Sequence, residues 1–136
     1  MDDRIAVLER MALFDGVSRH EIESLCRALG CRRAYYGKGS LILKRGARVD
    51  SAGVILRGAV RAERNGADGS LRIVARHRAG SLFGDVLNVS RARRSPVDIV
   101  ATEDTDVLFM PLDALMGEGD ASDAAVRTRV RLNLLS

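Results

Sequence analysis

Between Cys31 and Met110 the chain has no room for long helices. Apolar residues there fall in short stretches, many of them β-branched, broken by glycine or another turn residue every 8 to 12 residues or so. Tyr35-Tyr36 leads into the turn Gly37-Lys38-Gly39. Leu41, Ile42 and Leu43 read as a buried strand ended by Arg45-Gly46. Val54, Ile55 and Leu56 make the next, ended at Gly58. Val60 and Ala62 alternate up to Asn65-Gly66-Ala67-Asp68-Gly69, whose residues tolerate positive φ and suit a hairpin loop. Leu71, Ile73 and Ala75 alternate back, and Ala79-Gly80 turns again. Val97, Ile99 and Ala101 alternate, and Val107 and Phe109 carry a last strand. With no helical pattern between strands, a parallel sheet is excluded and a β-sandwich or barrel is expected.

The flanks have a different period. Ile5, Leu8 and Met11 recur at helical spacing, and Gly16 ends that segment. Ser18 stands three residues before Glu21, a capping-box pattern that opens a helix carrying Ile22, Leu25 and Leu29 and closing at Gly30. After Pro111, Leu112, Leu115 and Met116 suggest one helical turn, broken by Gly117-Glu118-Gly119-Asp120. Ser122 then suits an N-cap, with Asp123 in the first turn. Val126, Val130 and Leu134 follow at i, i+4 and i+8, with Arg127, Arg129 and Arg131 off that stripe. The stripe can pack on its own barrel, or it can form a seam with a second copy. The spacing suits a seam, and we take that reading. No cap, glycine or proline ends this helix before Ser136, as in a truncated chain. One domain is expected over 1–136: a helical segment 1–30, a β-rich segment 31–110 and a helical segment 111–136.

Composition narrows the class. The chain has 136 residues, enough for one core. No apolar run is long enough to span a membrane, and MDDRIAVLERM lacks the basic start of a secretory signal, so the expected location is cytoplasmic with no membrane partner. The formal charge of +4 is too small to indicate nucleic-acid binding unless it is clustered. Cys26 and Cys31 are spaced CRALGC, not CxxC, and no further cysteine exists to complete a four-thiolate site. They read as two reduced, partly buried thiols; nothing in the spacing supports a redox pair. His20 and His77 lack partners at ligand spacing and read as surface residues, and no metal site is expected. Glu103, Asp104 and Asp106 read as a solvated turn. No GxSxG, Walker A, HExxH or paired catalytic carboxylate occurs, so no enzyme is expected.

Lys38-Gly39, Gly46, Gly58, Gly80 and Phe83-Gly84-Asp85 fall in the order and near the spacing of one family's landmarks. On these residues the chain resembles the cyclic-nucleotide-binding effector domain of CRP/FNR-type transcription regulators. The resemblance implies an α+β, mainly β fold. That fold is a double-stranded β-helix, or jelly roll, of roughly eight strands with N-terminal helices and a C-terminal dimerisation helix. It also implies that residues 83–95 descend from a phosphate-binding cassette, in which a glycine admits the ligand, a carboxylate holds a ribose hydroxyl and an arginine forks onto phosphate. Gly84 matches that glycine, and Asp85 replaces a glutamate one methylene longer. The family's R-x-A-x-V-x-A meets Ser95-Pro96-Val97-Asp98-Ile99-Val100-Ala101 here, so Ser95 holds the arginine's place. Arg94 is one residue early, which in a strand turns it to the other face. The candidate ligand-binding residues are therefore Phe83, Gly84, Asp85, Val86, Arg94 and Ser95, with Arg91 and Arg93 able to add charge. The run of arginines also reads as an ordinary solvated loop. The resemblance implies effector sensing in a homodimer, with DNA bound by a helix-turn-helix domain after Ser136. Two readings of the cassette stay open: a small anion or nucleotide effector other than cyclic AMP, or no ligand, with the cassette kept only as scaffold; no cofactor is assigned. The alternative is a stand-alone ligand- or protein-binding module.

Overall fold

The computed structural model describes residues 3–84, 93–117 and 124–135. Among these, eight strands form where the glycine punctuation leaves room for them. They are β1 (Arg32–Tyr36), β2 (Leu41–Leu43), β3 (Ser51–Arg57), β4 (Ala59–Asn65), β5 (Leu71–Arg78), β6 (Leu82–Phe83), β7 (Asp98–Ala101) and β8 (Thr105–Pro111). They pair antiparallel into two four-stranded sheets, ordered β1-β8-β3-β6 and β2-β7-β4-β5. This is the jelly roll expected from the sequence. The helices are α1 (Asp3–Glu9), α2 (Arg19–Leu29), α3 (Leu112–Met116) and α4 (Ala124–Leu135), with a 3₁₀ turn at Ala12–Phe14. Within the described residues no helix is long and apolar enough to cross a membrane.

Two cores follow from the alternation in β3. Ile55 turns to the space between the sheets, where it meets Val60, Ala62, Ile99, Val107 and Phe109. Val54 and Leu56 turn the other way and are covered by Leu8, Phe14, Ile22, Leu25 and Leu29 of the N-terminal helices. A strand buried on both faces reads as a continuous apolar run, which is why Val54-Ile55-Leu56 does not alternate. The capping box also forms. The Ser18 hydroxyl accepts from the Glu21 N–H at 3.2 Å, and Glu21 accepts from the Ser18 N–H at 3.0 Å, which holds the Glu21 carboxyl below its usual range.

The structure corrects several expectations. Leu41 is 49% exposed, because β2 is an edge strand and its first residue faces solvent. Arg32–Tyr36, polar enough to pass as a turn approach, is a strand because its inward residues Ala34 and Tyr36 join the inter-sheet core. Asp106 is not solvated. It is 8% exposed and bridges Arg33 at 3.5 Å and Arg57 at 3.3 Å. In β5, Ala62 pairs with Ala75 but Glu63 pairs with Ile73, so Val74 is an extra, bulged residue. That single insertion flips the strand's faces. Leu71 and Ile73 are 55% and 44% exposed, while Ala75 faces inward together with His77, which is half-buried and not the surface residue expected.

The largest correction concerns α4. Val130 and Leu134 are buried, and Val126 is half-buried, against the same chain's N-terminal helices, not turned out as a seam. The polar residues of α4 reinforce this docking. Asn133 donates to the carbonyls of Leu13 and Asp15, both at 2.9 Å. Arg127, 5% exposed, donates to the Ala114 carbonyl at 2.6 Å, and Arg131 donates to that of Met116 at 3.3 Å. Cations thus meet the open carbonyls at the end of α3, where the helix dipole is negative. Ser122 and Asp123 lie outside the described residues.

Gly53, buried in β3, pairs with Phe83 and Phe109 on its two sides, and a Cβ there would overlap the Phe83 ring. Gly53→Ala should therefore displace Phe83 and destabilise the domain by roughly 1–3 kcal/mol. Urea denaturation checks this; an unchanged midpoint would show that the ring does not need the bare backbone.

Candidate functional site

The site begins at Phe83. Its ring lies over Gly53 and meets Phe109 edge to face, with centroids 6.3 Å apart at 89°. Gly84 then turns left-handed, with φ of +69°. The following residues, including the candidates Asp85 and Val86 and the arginine Arg91, lie outside the described residues. The chain returns at Arg93, the one non-glycine residue at positive φ (+55°) among those described. The returning limb is laced to the turn after β2. Val49 N–H donates to the Arg93 carbonyl at 2.6 Å, Ser95 N–H to Ala47 at 2.9 Å, and Gly46 N–H to Ser95 at 2.8 Å.

Between these limbs and the two sheets lies a cavity of about 190 Å³. Phe83 and Gly84 form one side, and Ser95, Pro96, Val97 and Ile99 another. Leu43, Ala62, Val74, Ala75 and His77 close it. The Val74 bulge is what turns Ala75 and His77 into it, and this is the part of the site that strict alternation along β5 does not reveal. Ala62, Val97 and Ile99 were legible as inward residues but carried no chemical mark to single them out. His77 is the only titratable residue in the described lining.

The structure brings Phe83, Gly84 and Ser95 together around this cavity and turns Arg94 elsewhere. The Arg94 guanidinium is exposed and donates to the Gly46 carbonyl at 3.0 Å. Arg93 pairs with Asp113 of α3 at 2.6 Å. Neither lines the cavity. Ser95, 4% exposed, is held by its own limb: its hydroxyl donates to the Val97 carbonyl at 2.6 Å and accepts from the Val97 N–H at 3.3 Å. The described lining is therefore mainly apolar and includes no guanidinium. Ser95→Ala should leave the Val97 peptide short of partners and cost roughly 1–3 kcal/mol in urea denaturation. A silent substitution would mean that the hydroxyl does not hold the limb.

Comparison with known proteins agrees with this fold. The sensor domain of the transcriptional regulator DNR from Pseudomonas aeruginosa superposes with a TM-score of 0.75 at 15% identity, covering 96% of this chain and 82% of that one. A cyclic nucleotide-binding domain from Methylobacillus flagellatus gives 0.77 at 19% identity, covering 98% and 76%. Thermus thermophilus catabolite activator protein gives 0.73 at 25% identity, covering 91% of this chain but only 55% of that one. No curated protein matches in sequence. Residues 33–118, well over half of the chain, match the sequence model of the cyclic nucleotide-binding domain. The resemblance to CRP/FNR-type effector domains therefore holds in fold, and the chain belongs to the cyclic nucleotide-binding domain family.

Proposed function

We propose that this domain is the effector-sensing part of a CRP/FNR-type transcription regulator, and that its effector is a small, mainly apolar molecule, not cyclic AMP. The observation that carries the effector class is the cavity itself: apolar walls, the Ser95 hydroxyl bound to its own limb, and both described cassette arginines engaged elsewhere. At about 190 Å³ it lies below the usual range of ligand pockets, which suits a compact ligand. Phe83, Gly84 and Ser95 are the binding residues this reading retains, with Asp85 and Val86 as proposed neighbours. It is a regulatory role with no catalytic step.

The same contacts suggest a mechanism. Arg93 ties the cassette limb to Asp113 of α3, and Arg127 and Arg131 tie the end of α3 to α4. An effector that favours one position of the limb would favour one position of α4, a population shift between two packings. On this reading DNA is bound by a separate domain after α4, in keeping with a catabolite activator protein of which this chain matches 55%. A homodimer would use the outer face of α4, where Ala125, Thr128 and Leu132 border a shallow groove and Leu132 is 60% exposed. The seam thus moves off Val126, Val130 and Leu134. A stand-alone module is the second reading, favoured by how little apolar surface α4 leaves open.

Thermal denaturation with a panel of cyclic AMP, cyclic GMP, small carboxylates and indole tests the effector class. Indole should raise the melting temperature and the cyclic nucleotides should not. Stabilisation by cyclic AMP above about 2 kcal/mol at saturation would overturn the assignment. For the dimer, sedimentation should show two copies for the native chain and one for a folded Leu132→Glu variant. A native monomer would favour the stand-alone module.

A further inference from the structure

The spacing CRALGC has a structural meaning that the sequence alone does not display. Helix α2 ends in a Schellman turn. Gly30 is left-handed, with φ of 71°, and its N–H donates to the Arg27 carbonyl at 3.2 Å. The Cys31 N–H reaches back to the Cys26 carbonyl at 3.0 Å. In this turn the side chain three places before the helix cap meets the side chain two places beyond it. Those two positions are Cys26 and Cys31. The path from one Cα to the other through that hydrogen bond spans about 7 Å at full stretch, and less with the bend at the carbonyl oxygen. A disulfide bridges this range. Both thiols are half-buried, which leaves them open to a small oxidant.

We propose that Cys26 and Cys31 are a modification site, a thiol pair that hydrogen peroxide converts to a reversible intrachain disulfide. The Cys26 thiolate attacks one peroxide oxygen. The O–O bond breaks, the other oxygen leaves as hydroxide and takes up a proton, and Cys26 becomes a sulfenic acid. The Cys31 sulfur then attacks the Cys26 sulfur. The S–O bond breaks, the S–S bond forms and a second water leaves. Two thiols lose two electrons and two protons, and the peroxide is reduced by the same two electrons. The roles follow from the contact. The side-chain contact between the two thiols holds the Cys26 thiol below its usual range and, with burial, pushes the Cys31 thiol up. Cys26 is thus the first nucleophile, and Cys31 the resolving thiol held beside it.

The bond would form next to the element that the proposed sensing mechanism moves. Cys26 and Cys31 pack against the cluster that contains Leu25 and Leu29 of α2 and Val130 and Leu134 of α4. The proposal does not depend on any effector in the cavity, and it stands or falls separately.

The test is to treat the reduced chain with stoichiometric hydrogen peroxide, alkylate what remains free, and measure intact and peptide masses. The expected result is a loss of two hydrogens, one crosslink joining residues 26 and 31 within a single chain, and full reversal by dithiothreitol. Cys31→Ser should stop at a sulfenic acid on Cys26 that dimedone traps. Cys26→Ser should react on the order of tenfold more slowly. Oxidation of the native chain to sulfinic acid without a crosslink, links only between chains, or two untouched thiols would each overturn the proposal. The native chain decides the question, so a variant that failed to fold would not blunt the test.

Discussion

The contact between the Phe83 ring and the bare backbone of Gly53 fixes where the chain leaves β6 and enters the turn at Gly84. Phe83 belongs to a two-residue edge strand, β6, which has little backbone pairing to hold it. Its fixed place comes from lying over Gly53 and against Phe109, itself in edge contact with Tyr36 at 6.4 Å. Each of these rings also removes apolar surface from water, a term of about 1.5–3 kcal/mol per fully buried side chain. With Phe83 fixed, Gly84 must turn where it does, and the cavity acquires its first wall. A side chain at position 53 would move the ring, and with it the start of the cassette.

The far side of the domain depends on a different kind of interaction, between arginine side chains and helix carbonyls. Helix α3 is short, and its final carbonyls have no partners of their own in the helix. Arg127 and Arg131 supply donors from α4, and Asn133 does the same for the turn at Leu13 and Asp15. Such bonds are directional, so they fix rotation and height as well as attachment. Apolar packing of Val130 and Leu134 alone would allow α4 to slide. The polar clamps define one docked position, which on the proposed reading is the one an effector would shift.

How much of this was legible in the sequence depended on whether the deciding interaction was local. Glycine punctuation located strands, Ser18 and Glu21 opened α2, and Val97, Ile99 and Ala101 alternate in the structure as they do in the sequence, because each is governed by backbone conformation within a few residues. The faces of β5 were not legible. Leu71, Ile73 and Ala75 alternate without fault, but Val74 is bulged by its pairing with β4, a strand on the far side of a turn. The stripe on α4 was legible as apolar, but periodicity does not say whether the partner is another copy or the same chain. Arg127 is buried only because α3 ends beside it. The candidate site divides in the same way: Phe83, Gly84 and Ser95 surround the cavity, while Ala75 and His77 came from the bulge.

The limb at 93–97 bears on how the cavity differs from a phosphate cradle. Where an anion organises a loop, the loop's donors wait for it and ordering is part of the binding free energy. Here the limb carries its own organiser. Pro96 has no N–H and a fixed φ, so the limb lacks one donor and one rotation at that position. The Ser95 hydroxyl bridges across Pro96 to both the N–H and the carbonyl of Val97, and backbone bonds to Gly46, Ala47 and Val49 hold the rest. An arginine at 95 could not make the compact bridge that serine makes, because its donors lie too far from its own backbone. On the proposed reading, serine at 95 both leaves out the cassette's arginine and supplies the bridge that orders the limb. On the proposed reading, a limb held in this way favours a ligand that brings shape and apolar surface over one that brings only charge.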